Sequence, residues 1–150
     1  PLNCLQRHDI KEFYDLFKNN SDVNLFFVVC LRDIVHSTLS AWKRFDTFSS
    51  IALTAKTQED SLIYINSQMQ LLPEDGFLVA EYNSICQNVK GFEKIFKAKS
   101  RMKDIVFDPR GVHPSSANHD DHHHAPFLRN FFDRKRLSQF SFLQSKIEKF

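Results

Sequence analysis

Of the seven histidines in this chain, five fall within twelve positions: His113, His119, His122, His123 and His124. Imidazole, together with the carboxylates of Asp120 and Asp121, is a good ligand set for zinc, nickel or copper. His113, His119, His122 and His124 are therefore the candidate metal ligands. A built site holds its donors at fixed geometry with supporting groups behind them. Here the donors sit in a polar tract between Pro109, Pro114 and Pro126. The expectation is an exposed loop with at most adventitious affinity for divalent metal, and no resident cofactor. Because free imidazole titrates near 6.5, the same tract would gain positive charge as the pH falls toward 5.

A second chemistry lies in the basic residues. The formal net charge is only +2, too small to imply nucleic acid or a membrane by itself, but the distribution is uneven. Lys90, Lys94, Lys97 and Arg101 recur at helical spacing and define one face of a helix whose other face is Val89, Phe92 and Phe96. Arg129, Arg134 and Arg136 extend that row if the last helix packs alongside. Such a row can track phosphates or meet an acidic protein; its plainer reading is a solubilising surface.

A third pattern, Arg32-Asp33-x-x-His36, places an arginine and a histidine about one turn apart and could serve an acid–base ribonuclease cut. Its plainer reading is an ordinary polar stripe on an apolar helix. Other chemistries are missing their residues. No Glu-x-x-His pair exists for a carboxylate-bridged di-iron centre, and no G-x-S-x-G elbow organises a serine nucleophile. Gly76, Gly91 and Gly111 are the only three glycines. They cannot form a G-x-G-x-x-G turn or a phosphate-cradling P-loop, which argues against doubly wound nucleotide enzymes of the usual kind. Cys4, Cys30 and Cys86 are odd in number and widely spaced, arguing against a disulfide framework or zinc knuckle. Cys30 and Cys86 lie in apolar runs and read as buried thiols, which favours a reducing intracellular compartment.

The elements that would position these groups read as helices. The chain is 150 residues long with 16 phenylalanines, so one domain with an aromatic core is expected. Asp9 caps a first helix carrying Ile10, Phe13, Leu16 and Phe17. From Val23, apolar residues recur every three or four positions through Phe45, predicting one long helix. The β-branched and aromatic run Leu25–Leu31 makes a buried strand the competing reading. Leu62, Ile65, Met69 and Leu72 form a stripe ending at Pro73. Pro73-Glu74-Asp75 suits the start of another helix, continued by Leu78, Tyr82, Ile85, Val89, Phe92 and Phe96. The segment from Phe107 to Pro126 reads as a long loop, and Phe127 to Phe150 as a final helix.

The longest apolar run is far short of the roughly 20 residues that span a bilayer, and no signal peptide is visible. The chain opens on Pro1 rather than methionine, which suggests a processed or excised piece. The expected architecture is thus an all-α, antiparallel bundle of four to five helices over residues 1–150, with a His/Pro-containing loop before the last helix. The expected function is a non-enzymatic interaction module that binds an acidic protein partner through the basic helix face. A nucleic-acid-binding bundle is the alternative, and a small ribonuclease a more distant one.

Overall fold

The run around Leu25–Leu31 does not open a helix. In a computed structural model describing residues 9–19, 22–23, 25–45, 50–108 and 122–150, Phe27–Leu31 is a strand, β1. It pairs in parallel with a second strand, β2 (Phe77–Glu81), in register from Phe27 opposite Phe77 to Leu31 opposite Glu81. The molecule is mostly helical, yet it contains a two-stranded parallel sheet. The expected all-α class is therefore corrected, and the described residues do not form a simple antiparallel bundle of four to five helices. The physical reason is that β2 is buried on both faces and β1, though open on one, is apolar on both, so each reads as a continuous apolar run without a period of two. The helical spacing past Leu31 belongs to the next element, α2 (Ile34–Phe45).

Parallel strands need a long crossover, and α2 with α3 (Ile51–Gln70) supplies it. α1 (Ile10–Lys18) begins at Asp9, whose carboxylate accepts from Glu12 N at 3.0 Å, as its sequence predicts. The apolar stripe of α3 also stands, with Ile65 and Met69 buried. Pro73-Glu74-Asp75 does not start a helix. Residues 74–76 make one tight 3-10 turn that delivers the chain into β2. After Glu81, α4 (Tyr82–Gln87) follows with no intervening turn, and α5 (Val89–Ser100) begins afresh where the Asn88 side chain accepts from Gly91 N. The apolar stripe read as one helix through Phe96 is thus broken at Asn88.

The final helix is also broken, into α6 (Ala125–Phe131), α7 (Arg134–Leu137) and α8 (Ser141–Ser145). Asp133 causes one break, because its carboxylate accepts from Arg136 N at 2.9 Å and caps a new start. Beyond α8, Ile147 bridges Val79, and Glu148 N donates to the Val79 carbonyl at 2.9 Å. The C-terminal segment thereby occupies the side of β2 away from β1.

Packing follows from these elements. On one face of the sheet, Phe77 and Val79 are buried with Ile10, Ile65, Met69 and Leu143, so α1, α3 and α8 form that layer. On the other face, Leu78 and Ala80 lie beneath Ile85, Phe92 and Phe96 of α4 and α5. A third cluster joins α2, α3 and α6 through Leu39, Ala55 and Leu128. Among the described residues, no helix is long and apolar enough to cross a membrane. Cys30 is exposed and Cys86 only half-buried, correcting the expectation of two buried thiols, and both are free. Cys4, Gly111, His113, His119 and most of the histidine-containing loop lie outside the described residues.

Candidate anion-binding cleft

The carboxyl end of β1 runs straight into Arg32-Asp33 and the first turn of α2. Asp33 caps that helix: its carboxylate accepts from His36 N at 2.9 Å and its carbonyl from Ser37 N at 2.8 Å. Thr38, fully buried, returns its hydroxyl to the Ile34 carbonyl at 2.7 Å and anchors the same turn. The β1–α2 junction is therefore rigidly tied at its start.

Two cavities open on this junction. The first, about 270 Å³, has Arg32 and Glu81 from the strand ends, with Leu62, Phe140 and Ile147 as apolar wall. The second, about 260 Å³, has His36 and Arg129 with Val35 and Phe132. Both are lined by Asp33, Ile34 and Leu137, so they adjoin along the first residues of α2. The Arg32 guanidinium stands 5.7 Å over the Tyr82 ring, which fixes its direction at the rim. Desolvation, and then the hydrogen bond with Cys86, raises the Tyr82 phenol above its ordinary range, so that ring stays neutral. Of the two carboxylates here, Asp33 is engaged as the helix cap and Glu81 accepts from Ser84 Oγ at 3.1 Å. The cationic side chains on the cleft are Arg32 and Arg129, and His36 Nδ1 stands 3.9 Å from the Asp33 carboxylate. The first cavity thus sets Arg32 beside an apolar wall, the second holds Arg129, and the Asp33 carboxylate lines both.

The other sequence-derived candidates are scattered. Lys90 and Lys94 stand exposed on α5. Lys97 Nζ donates to Glu93 Oε1 at 2.6 Å, i to i−4 on the same helix. Arg101 ends α5 in the left-handed conformation, φ 61°, and lies 3.9 Å from the Asp75 carboxylate. Arg134 is exposed on α7. Arg136 turns inward, its Nη1 donating to both oxygens of Glu59 at 3.0 and 2.8 Å. α5 packs on β2, whereas α6 packs on α2 and α3, so Arg129 does not continue the α5 row.

His122, His123 and His124 are brought together: ring centroids lie 4.5 Å apart for His122–His123 and 3.9 Å for His123–His124. Trp42 meets His124 edge-on at 5.0 Å. Desolvation, and then His123, lowers the His124 pKa from its ordinary value. Among the described residues, no group of three or more His, Cys, Asp or Glu side chains is arranged to hold a metal ion.

Arg32 and His36 stand out in the sequence as a pair on one helix; His36 does lie in the first turn of α2, whereas Arg32 precedes it at the end of β1. The signal for their position was an apolar run of strand length followed at once by a charged pair and a helix, which is how a parallel strand hands over to its crossover. Arg129 and Glu81 had no such signal, because only the fold brings them to this edge. No protein family matches the chain, and neither a curated protein nor a solved structure is recognisably similar to it.

Proposed function

We propose that the chain binds a phosphate-bearing small molecule, of nucleotide size, in the cleft at the carboxyl end of its parallel strands. The observation that carries this reading is the pair of adjoining cavities at the β1–α2 junction, with Arg32 on one and Arg129 on the other. Open parallel sheets take their ligands outside the carboxyl ends of the strands, and that is where this cleft lies. The glycine-poor sequence supplies no phosphate loop, so guanidinium groups take over the charge recognition. Together the cavities have the volume of a small-ligand site, and the apolar wall at Leu62, Phe140 and Ile147 suits a base or another apolar body.

Amide chemical-shift mapping with inorganic phosphate and then adenosine diphosphate tests the reading. The expected result is shifts confined to residues 31–37, 81–82 and 128–137, lost in Arg32→Gln. Shifts confined to α5, or none, contradict it.

A second proposal retains the acidic-protein partner for the basic face. Its support is that Lys90 and Lys94 are exposed one turn apart on α5. A Lys90→Glu/Lys94→Glu variant that binds an acidic probe such as poly-glutamate as well as the parent would end that second reading.

A further inference from the structure

Two thiols lie outside the lining of the proposed cleft, Cys30 on β1 and Cys86 on α4, and the fold brings them together. Cys30 stands opposite Ala80 in the ladder, so it shares the sheet face on which α4 and α5 pack. α4 follows β2 directly and turns back over it, because Ile85 packs in one cluster with Leu78 and Ala80. Side chains alternate along a strand, so Arg32, one residue past β1, points to the same face as Cys30. The Arg32 guanidinium stands 5.7 Å over the Tyr82 ring, and Tyr82 is hydrogen-bonded to Cys86, one helical turn further on. Two residues of strand and four of helix cover nearly the same length, about 6–7 Å. With α4 running back along the strands, the Arg32–Tyr82 contact therefore sets Cys86 beside Cys30. The two sulfurs sense each other: desolvation, and then Cys86, raises the Cys30 thiol above its ordinary value. Cys30 is exposed and Cys86 half-buried, so a small reagent in solvent can reach the pair.

We infer that Cys30 and Cys86 form a reversible disulfide that fastens β1 to α4, made by exchange with a small-molecule disulfide of the glutathione type. The exposed Cys30, as thiolate, attacks one sulfur of the small disulfide, forming a mixed disulfide and expelling one small thiolate. The Cys86 thiolate then attacks the Cys30 sulfur of that mixed disulfide, forming the internal bond and expelling the second small thiolate. The two protein thiols lose two electrons, which reduce the small disulfide to two thiols. Their two protons pass through water to the departing thiolates. The closed loop contains α2, α3 and β2, the whole crossover between the strands. Closing it restricts the unfolded chain, so the oxidised protein should be the more stable form.

The test uses the full chain carrying Cys4→Ser, so that Cys30 and Cys86 are the remaining thiols. Reduced protein is incubated with glutathione disulfide under native conditions and, separately, in urea. Remaining thiols are then alkylated and the peptides mapped by mass spectrometry. The expected native product is the internally linked Cys30–Cys86 peptide pair. Its formation should raise the thermal midpoint by about 4 °C or more, and dithiothreitol should reverse both changes. Adding Cys86→Ser should stop the reaction at the mixed disulfide between Cys30 and glutathione. Glutathione held on Cys30 or Cys86 of the Cys4→Ser chain without an internal link, a dimer joined through Cys30, a link that forms only in urea, or no reaction overturns the inference.

Discussion

Arg136→Met should destabilise the fold far more than a surface arginine change, and the reason lies 77 positions away in sequence. The Glu59 side chain on α3 is 1% exposed, and Arg136 Nη1 donates to both its oxygens. Lys56 Nζ also reaches Glu59 at 3.0 Å, while contacting Asp60 at 2.7 Å. The Arg136 guanidinium is 4.1 Å over the Phe131 ring. Removing one partner of a buried charge typically costs about 3–5 kcal/mol. Here Lys56 remains and the Arg136 side chain is 37% exposed, so solvent screening brings the cost below that scale, to about 2–3 kcal/mol. At roughly 2–4 °C per kcal/mol for a domain of this size, the midpoint should fall by about 4–12 °C. The assay is urea and thermal unfolding of the parent, Arg136→Met, Glu59→Gln and the double variant. Glu59→Gln should restore part of the loss when combined with Arg136→Met, because the carboxylate left behind is what makes the single change costly. A loss below about 0.5 kcal/mol, the scale of ordinary surface changes, would refute the reasoning and return Arg136 to the pool of exposed cations.

Three further outcomes follow from local geometry. Glu93 accepts from Lys97 Nζ and from Phe107 N, and those bonds, Lys97 first, hold its carboxyl below the usual range. Its contribution is present above the unfolded carboxylate pKa and is lost as the pH falls through the lower folded value. Acidification should therefore lower the protection of the Phe107 amide relative to its intrinsic exchange rate at each pH, and Glu93→Gln should flatten that dependence. The lowered His124 pKa means that the fold favours neutral imidazole, so its contribution is full above the unfolded value and fades as the pH falls through the folded one. Trp42 is the chain's only tryptophan, so its fluorescence should report a transition below the ordinary histidine range that disappears in His124→Gln. Asn66→Ala removes the oxygen that accepts from buried Leu143 N at 3.1 Å; it should cost about 1–3 kcal/mol in urea unfolding.

The parts of the fold legible in sequence are those whose signal is local. Asp9 announces α1 because a short carboxylate before an apolar stripe satisfies the first amides of a helix. Ile65 and Met69 announce α3 by spacing alone. β1 was legible only as the competing reading of Leu25–Leu31, and β2 not at all, for two reasons. β2, buried on both faces, loses the alternation that marks a half-exposed strand, and β1 carries apolar residues on its open face as well, at Val28 and Cys30. Moreover, each strand meets a helix within two residues, so the apolar spacing runs on across the junction. Scarcity of glycine was informative about phosphate loops and uninformative about the sheet, since a helical crossover needs no glycine turn. In the site, Arg32 and His36 were visible as a chemical pair, but their cleft depends on α6 and the C-terminal segment folding back over α2 and β2. Arg136 shows the opposite failure: its neighbours in sequence are basic, whereas its partner Glu59 is visible only in three dimensions.

Isothermal titration of adenosine diphosphate into the parent and Arg32→Gln measures whether the proposed β1–α2 cleft binds phosphate through Arg32. A charge-assisted hydrogen bond of about 1.5–3 kcal/mol corresponds to roughly a 10- to 150-fold change in affinity. The account predicts saturable 1:1 binding to the parent, a weakening of that size in Arg32→Gln, and an unchanged affinity in Lys94→Gln. Absence of binding to the parent, or equal loss in Arg32→Gln and Lys94→Gln, would contradict it.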